Sequence, residues 1–231
     1  MSSISPFFRR ECKITADGSH TLYLPQYNEH YHSVHGAIQE SSHVFIEEGM
    51  NKLDPDVDPV HVLEVGFGTG LNAFLCLQEA VKTGKKIEYH AIEPFPLTMA
   101  EAGVLNLPGL LADGSHTDDF LAMHRAPFLQ MLTIRHTFIL KKYKENIEDV
   151  ELPDHYFELV LFDAFAPHVQ PDIWTEAVFS GIYRAMKPGG ILTTYCAKGS
   201  VKRALRACGF RLSHPPGPAG KREMTRAIKP N

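Results

Sequence analysis

Apolar and polar positions follow two different rhythms along this chain, and the change comes near residue 60. Beyond it, short solid apolar runs alternate with stretches of helical periodicity. "VHVLEV" (60–65), "KIEYHAIE" (86–93), "HTFIL" (136–140), "FELVLFDAF" (157–165) and "ILTTYC" (191–196) read as strands. "LNAFLCLQEAVKTG" (71–84), "DDFLAMHRAPFLQML" (118–132), "PDIWTEAVFSGIYRAM" (171–186) and "SVKRALRACG" (200–209) read as helices, with Pro127 a breaker in the second and "KPGG" a stop after the third. "FRLSH" (210–214) and "REMTRAI" (222–228) close the chain with no helix between them, which predicts a hairpin. Alternation of apolar strands with helices predicts an α/β fold with a mostly parallel sheet covered on both faces. The count is seven strands, one of them antiparallel.

Before residue 60 the pattern is that of a small extension. "CKIT" and "HTLYL" flank Asp17-Gly18, a hairpin turn signal. An aromatic and histidine-rich link, "PQYNEHYHSVHG", leads to a helical stretch, "AIQESSHVFIEEGM". The polar, proline-bearing "NKLDPDVDPV" then marks a boundary. The expected organisation is an extension over 1–59 and a main domain over 60–231.

The junction "HVLEVGFGTGLNAF" carries the first candidate chemistry. Gly66, Gly68 and Gly70 follow a strand and precede a helix, so the backbone there turns sharply and carries no side chains that would block a ligand. In open α/β sheets, ligands sit beyond the carboxyl ends of the strands, and an acid ending the next strand binds ribose hydroxyls. That acid is Glu93. The spacing GxGxG is neither the dinucleotide GxGxxG nor the phosphate-loop GxxxxGK[ST]. Glu64, just before the glycines, is an awkward neighbour for a diphosphate and suits a cationic ligand. S-adenosylmethionine carries both an ammonium and a sulfonium. The plain alternative is a turn that needs glycines for geometry alone.

The second candidate is "LVLFDAFAPHVQPDIW". Asp163 falls where the fourth strand of the alternation ends, beside the first. It either orients an amine nucleophile or caps the strand end. Phe165 and Pro167 are expected to wall the pocket against water, and Trp174 to pack a helix.

Composition adds limits. The chain has 231 residues, 44% hydrophobic and 22% charged, an ordinary globular balance. No apolar stretch is long enough for a membrane span, and "MSSISPFFRRECK" lacks the continuous apolar core of a secretory signal. Cys12, Cys76, Cys196 and Cys208 are scattered without paired spacing, which fits reduced thiols in a cytoplasm. His30, His32, His35 and His43 cluster, yet without ordered ligand spacing or acid and cysteine support, so no metal is expected. The net charge of −4 argues against a wholly basic nucleic-acid binder. It is unevenly placed, however: residues 198–231 hold nine Lys or Arg against the single acid Glu223, a local +8 that leaves −12 for the rest. Either an anionic partner docks there or the basic faces are merely solvated.

Taken together, "LEVGFGTGLNAF", "AIEPFPLT", the long block from "FDAFAPHVQPDIW" to "RALRACGF", and "GKREM" resemble the methyltransferase half of the MnmC family of bacterial tRNA-modifying enzymes. "QESSHVFIEEGMNKL" is similar to the segment preceding that family's first strand, and the resemblance spans roughly residues 36–228. It implies a Rossmann-type methyltransferase fold. It also implies N-methylation of 5-aminomethyl-2-thiouridine at the tRNA wobble position, with S-adenosylmethionine as donor. By the same resemblance Glu64, Gly66, Phe67, Gly68, Gly70, Asn72 and Glu93 hold the donor and Asp163 is the active-site acid. Lys221, Arg222 and Glu223 match a family "KRE". The helix face of Lys198, Lys202, Arg203 and Arg206, together with Lys221 and Arg222, is expected to contact tRNA phosphates. The chain departs from the family in "FILKKYKEN", where an acidic element is usual, and in "EHYHSVHG". The bifunctional enzyme's FAD-dependent oxidase half has no counterpart in these residues, so the aminomethyl substrate is expected from another enzyme. Two other readings remain: an aminopropyltransferase using decarboxylated donor, and a catalytically silent RNA-binding or scaffold protein. Paired aspartates expected at the fourth strand end of an aminopropyltransferase are missing, and the intact glycine loop and acids speak against decay.

Overall fold

The structure is a computed structural model that describes residues 9–112 and 114–231. Most of the N-terminal stretch read above as lacking a secretory core lies outside the described residues. The extension begins with β1 (Glu11–Ile14), β2 (His20–Leu24) and β3 (Glu29–His30), a three-stranded antiparallel sheet. Its first turn contains Gly18 at φ 83°, as the Asp-Gly signal requires. Next come α1 (Ala37–Ser41), which continues as a wider π-helical turn through Ser42–Glu47, and a short 3-10 turn at Met50–Lys52.

The main sheet is built from β4 (Val60–Val65), β5 (Ile87–Ile92), β6 (Met131–Arg135), β7 (Phe138–Tyr143), β8 (Phe157–Phe162), β9 (Met186–Thr194), β10 (Arg211–Ser213) and β11 (Thr225–Ile228). Its order is β10-β11-β9-β8-β4-β5-β7-β6. The helices are α2 (Leu71–Thr83), α3 (Met99–Gly103), α4 (Leu107–Ala112), α5 (Thr117–Arg125), α6 (Glu176–Ala185) and α7 (Gly199–Ala207). The fold is a Rossmann-like α/β architecture. The sheet has eight strands against the seven counted from sequence. The added one is β6, which runs antiparallel to β7 at the edge. Its first two residues, Met131 and Leu132, fall in the helix expected over 118–132, and the other three in no expected element; the helix stops at Arg125, two residues before Pro127. The closing strands form the expected hairpin, and β11 runs antiparallel between β10 and β9. After α6 no loop intervenes: "KPGG" enters β9 directly, with a register irregularity against β8.

Side chains on the central strands alternate between two buried layers. Val62, Leu159 and Leu161 face the layer that holds Phe74 of α2 and Phe120 of α5. Leu63, Val65, Val160 and Phe162 face the layer of Trp174, Phe179 and Ile182. β8 is buried along its whole length, as a central parallel strand covered on both sides must be. Leu22 and Phe45 of the extension join the first layer, so that segment packs on the main core. α2 ends at Gly84, whose φ of 75° and N–H to the Ala80 carbonyl make a left-handed stop.

Candidate active site

The parallel register sets the site. Val65 pairs with both Ile92 and Phe162, so the next residues, Gly66, Glu93 and Asp163, stand in one row beyond three adjacent strand ends. With neighbouring strands about 4.8 Å apart, the row is roughly 10 Å long. Above it lies a cavity of about 320 Å³, lined by Gly66, Phe67, Gly68, Asn72, Glu93, Asp163, Phe165 and Lys221 among the residues expected from sequence.

The glycines are there for space. A Cβ on Gly66, at φ 94°, would stand 2.4 Å from the Asp163 carbonyl oxygen. One on Gly68, at φ 50°, would stand 3.1 Å from the Tyr31 ring. Gly70 starts α2 in the left-handed region, hard against Phe67 and His124, and lies off the cavity wall. Glu93 is buried, and each of its oxygens accepts a backbone N–H: Gly68 to Oε2 at 2.8 Å and Phe95 to Oε1 at 2.8 Å. Burial pushes its carboxyl up, against these two bonds and the Arg10 charge. Each oxygen keeps a lone pair for a hydroxyl donor.

Glu64 has another place. It shares a strand face with Val62, the face that α2 covers, and is fully buried beneath the glycine loop without lining the cavity. There its Oε1 accepts from Asn72 Nδ2 at 3.0 Å, and the same amide nitrogen donates to Asp163 Oδ2 at 2.8 Å. Burial drives the Glu64 carboxyl well up, and the Asp163 charge adds to this. The expected direct contact of Glu64 with a cationic ligand is therefore corrected: parity along β4 turns it inward, and Asn72 stands between it and the site.

Asp163 is raised to about 7 by burial and by the nearby Glu40 carboxylate, opposed by Asn72 and Lys221. The chain after it is held by two neighbours. The Tyr195 hydroxyl donates to the Ala164 carbonyl at 2.8 Å, and Trp174 Nε1–H donates to the Phe165 carbonyl at 2.8 Å. Trp174 thus packs structurally, as expected, and also fixes the loop. Phe165 lines the cavity and Pro167 does not.

The extension roofs the cavity. Tyr31 lies edge-on to Phe165 with ring centres 5.0 Å apart, and its hydroxyl accepts from Arg10 Nε at 2.9 Å. Arg10 also bonds Glu101 and the Phe95 carbonyl, which ties the roof to the segment after β5. His168 Nε2 reaches Glu29 Oε2 at 3.2 Å and joins the roof to the loop after β8. His32 lies between Thr21 and Thr69, and burial lowers it to about 4. Of the other clustered histidines, His30 also lines the cavity and packs tilted against Tyr23, while His43 bonds Glu47 and the Pro216 carbonyl, and His35 abuts Gly220. No group of side chains fit to hold a metal occurs among the described residues.

Sequence reasoning missed Tyr31, Glu40, Thr69, Asn146, Ile147 and Tyr195, all on the cavity wall. Tyr195 had a signal, since it follows β9 at the level of Asp163: Leu161 pairs with Thr193, and each chain then advances two residues. Asn146 and Ile147 follow the lysine-bearing β7. One of those lysines, Lys142, is buried, donates to the His124 carbonyl at 2.7 Å and is lowered by burial to about 8.

The basic residues divide. Lys221 enters the cavity, bonds Glu40 Oε1 and lies 4.1 Å over the Tyr195 ring. Lys202 is paired with Glu223 at 2.8 Å, its side chain only 12% exposed. Both were expected as phosphate contacts, and both are already engaged by carboxylates. Arg203 and Arg222 are exposed and away from the cavity.

A donor with a ribose and an extended cationic tail fits this site: the bare Gly66–Gly68 backbone leaves it room and Glu93 offers the hydroxyl acceptors. A family model described as S-adenosyl-L-methionine-dependent methyltransferase matches residues 122–230. The chain is 30% identical over 219 residues to the tRNA 5-methylaminomethyl-2-thiouridine biosynthesis bifunctional protein MnmC of Cupriavidus metallidurans, covering 89% of this chain and 32% of that protein. It is 32% identical over 212 residues to the protein of the same name from Pseudomonas aeruginosa, covering 84% and 31%. The chain therefore spans about a third of the length of these curated relatives. The crystal structure of MNMC2 from Aquifex aeolicus superposes with a TM-score of 0.79 at 26% identity, covering 97% of this chain and 73% of that one. Spermidine synthase from Thermotoga maritima, at 15% identity and a TM-score of 0.61, shares the fold. The chain is an S-adenosylmethionine-dependent methyltransferase. Within that class it is an MnmC methyltransferase-like protein. No helix among the described residues is long and apolar enough to cross a membrane.

Proposed function

We propose that the protein transfers a methyl group from S-adenosylmethionine to the primary amine of 5-aminomethyl-2-thiouridine at the tRNA wobble position, and that it acts in the cytoplasm. The observation that carries this reading is the row of Glu93, Gly66 and Asp163, two carboxyl groups on opposite sides of a bare backbone, which suits a ribose at one end and an amine at the other. The names of the MnmC relatives supply the substrate. Bound donor supplies an already activated methyl group, so the protein's task is alignment and keeping the amine lone pair free. Asp163, at about 7, is poised to accept the proton of an arriving ammonium near neutral pH. Phe165 and Tyr31 close the apolar side and exclude water. The test is incubation with labelled donor and tRNA bearing 5-aminomethyl-2-thiouridine, followed by nucleoside analysis. Label in the 5-methylaminomethyl nucleoside is expected, and label in none of the nucleosides refutes the reading.

Glu29, Glu40 and Asp163 together give the cavity several carboxylates, which also suits a polyamine. An aminopropyltransferase would prefer decarboxylated donor, and calorimetry with both donors separates the two readings. A silent scaffold would bind neither.

A further inference from the structure

Lys221 and Glu40 are 181 residues apart in sequence and bonded in the cavity. Glu40 is buried and held at both oxygens, since Oε2 accepts the Ser33 N–H at 2.7 Å while Oε1 accepts from Lys221. The Lys221 ammonium also rests 4.1 Å over the face of Tyr195, the residue whose hydroxyl fixes the carbonyl next to Asp163. The cation, on the loop before β11, is thus held by two other elements: α1, which carries Glu40, and the strand end after β9, which carries Tyr195. It is the one Lys or Arg among the described residues lining a cavity with carboxylates at Glu29, Glu40, Glu93 and Asp163.

We propose that Lys221, locked by Glu40 against Tyr195, is a positioning residue that balances the charge of Asp163 so that its carboxylate can take the proton of the substrate amine. This deepens the function proposed above and rests on it. The groups acting on Asp163 are Asn72, which bonds it, and Glu40 and Lys221 across the cavity; Asp163 in turn raises Glu64 behind Asn72 and the Tyr89 and Tyr195 phenols. The Glu40 carboxylate disfavours a negative charge at Asp163, and Lys221 is the opposing cation. Without Lys221, Asp163 would hold its proton more firmly at neutral pH and could not take one from the amine.

The test reads Asp163 directly in the full chain without donor or tRNA, by carbon-13 carboxyl NMR with the signal assigned through Asp163→Asn. Lys221→Gln is expected to raise the Asp163 midpoint by about one unit or more, Glu40→Gln to lower it, and Lys221→Arg to leave it near wild type. An unmoved midpoint in folded Lys221→Gln and Glu40→Gln overturns the proposal, whether or not the tRNA reaction is found. In turnover, Lys221→Gln should lose kcat at pH 7 and regain it toward pH 9, with tRNA KM and its salt dependence unchanged. A raised tRNA KM with a flattened salt slope and an unchanged pH profile would make Lys221 a phosphate contact and overturn the proposal too.

Discussion

Gly66 lies so close to Asp163 that a Cβ on it would meet the Asp163 carbonyl oxygen at 2.4 Å. The donor loop and the amine-side loop therefore share one wall of backbone. Gly66→Ala must push two strand ends apart and also strain a φ of 94°. It is expected to destabilise the protein by about 1–3 kcal/mol and to impair donor binding. Gly68→Ala meets only the edge of the Tyr31 ring, which can swing. It should cost less stability while loosening the roof. Thermal melts and donor calorimetry check both, and equal melting losses would contradict this ordering.

Glu93→Ala removes the proposed acceptor for the ribose hydroxyls and leaves the Gly68 and Phe95 amides without their partner. Charge-assisted bonds of this kind contribute about 1.5–3 kcal/mol, so donor affinity should fall roughly ten- to a hundredfold. Calorimetry on the folded variant decides, and unchanged affinity would take Glu93 out of the donor site.

The strand ends were legible in the sequence because solid apolar runs and glycines are local signals. β4 falls on the predicted 60–65, and Glu93 and Asp163 each follow the last residue of their strand. The inward turn of Glu64 was legible in principle, since it shares parity with Val62. The roof was not. Tyr31, His32 and Glu40 sit in a segment whose contacts to Phe165, Thr69 and Lys221 join distant parts of the chain, and no periodicity records those contacts. The loss of Lys202 as a free cation has the same origin, for Glu223 comes from another element. β6 was hidden because an apolar run after a helix continues the helical pattern until a proline intervenes.

Asp163→Asn should separate activity from stability. The folded carboxyl sits at about 7, above its unfolded value of about 3.9. Between those values the folded state holds the extra proton, so this group's contribution to stability declines as pH rises from about 4 to 7. The amide removes that loss. Asp163→Asn should match wild type in stability near pH 4 and exceed it by more than 1 kcal/mol at pH 8, while turnover falls far more than donor affinity. Denaturant melts at the two pH values read the first effect. Equal stability at pH 8 would show that Asp163 carries no such burden.

The remaining prediction concerns the polyanion. With Lys202 paired to Glu223 and Lys221 to Glu40, the cations left to meet phosphates in residues 198–231 include the exposed Lys198, Arg203, Arg206 and Arg222. Lys198 caps α7, which carries Arg203 and Arg206, and Arg222 neighbours the cavity residue Lys221. A tRNA whose wobble base enters the cavity would carry its backbone past this surface. Backbone contacts position the RNA and give binding its salt dependence, with a log–log slope of roughly −0.7 to −0.9 for each phosphate neutralised. Reversing Arg203 and Arg222 to Glu should raise the tRNA KM and flatten that slope by about two such steps, with donor affinity unchanged. Lys202→Gln should leave the slope intact, because its charge is already spent on Glu223. If Arg203 and Arg222 can be reversed with no change in KM at any salt concentration, the tRNA approaches from another face of the cavity.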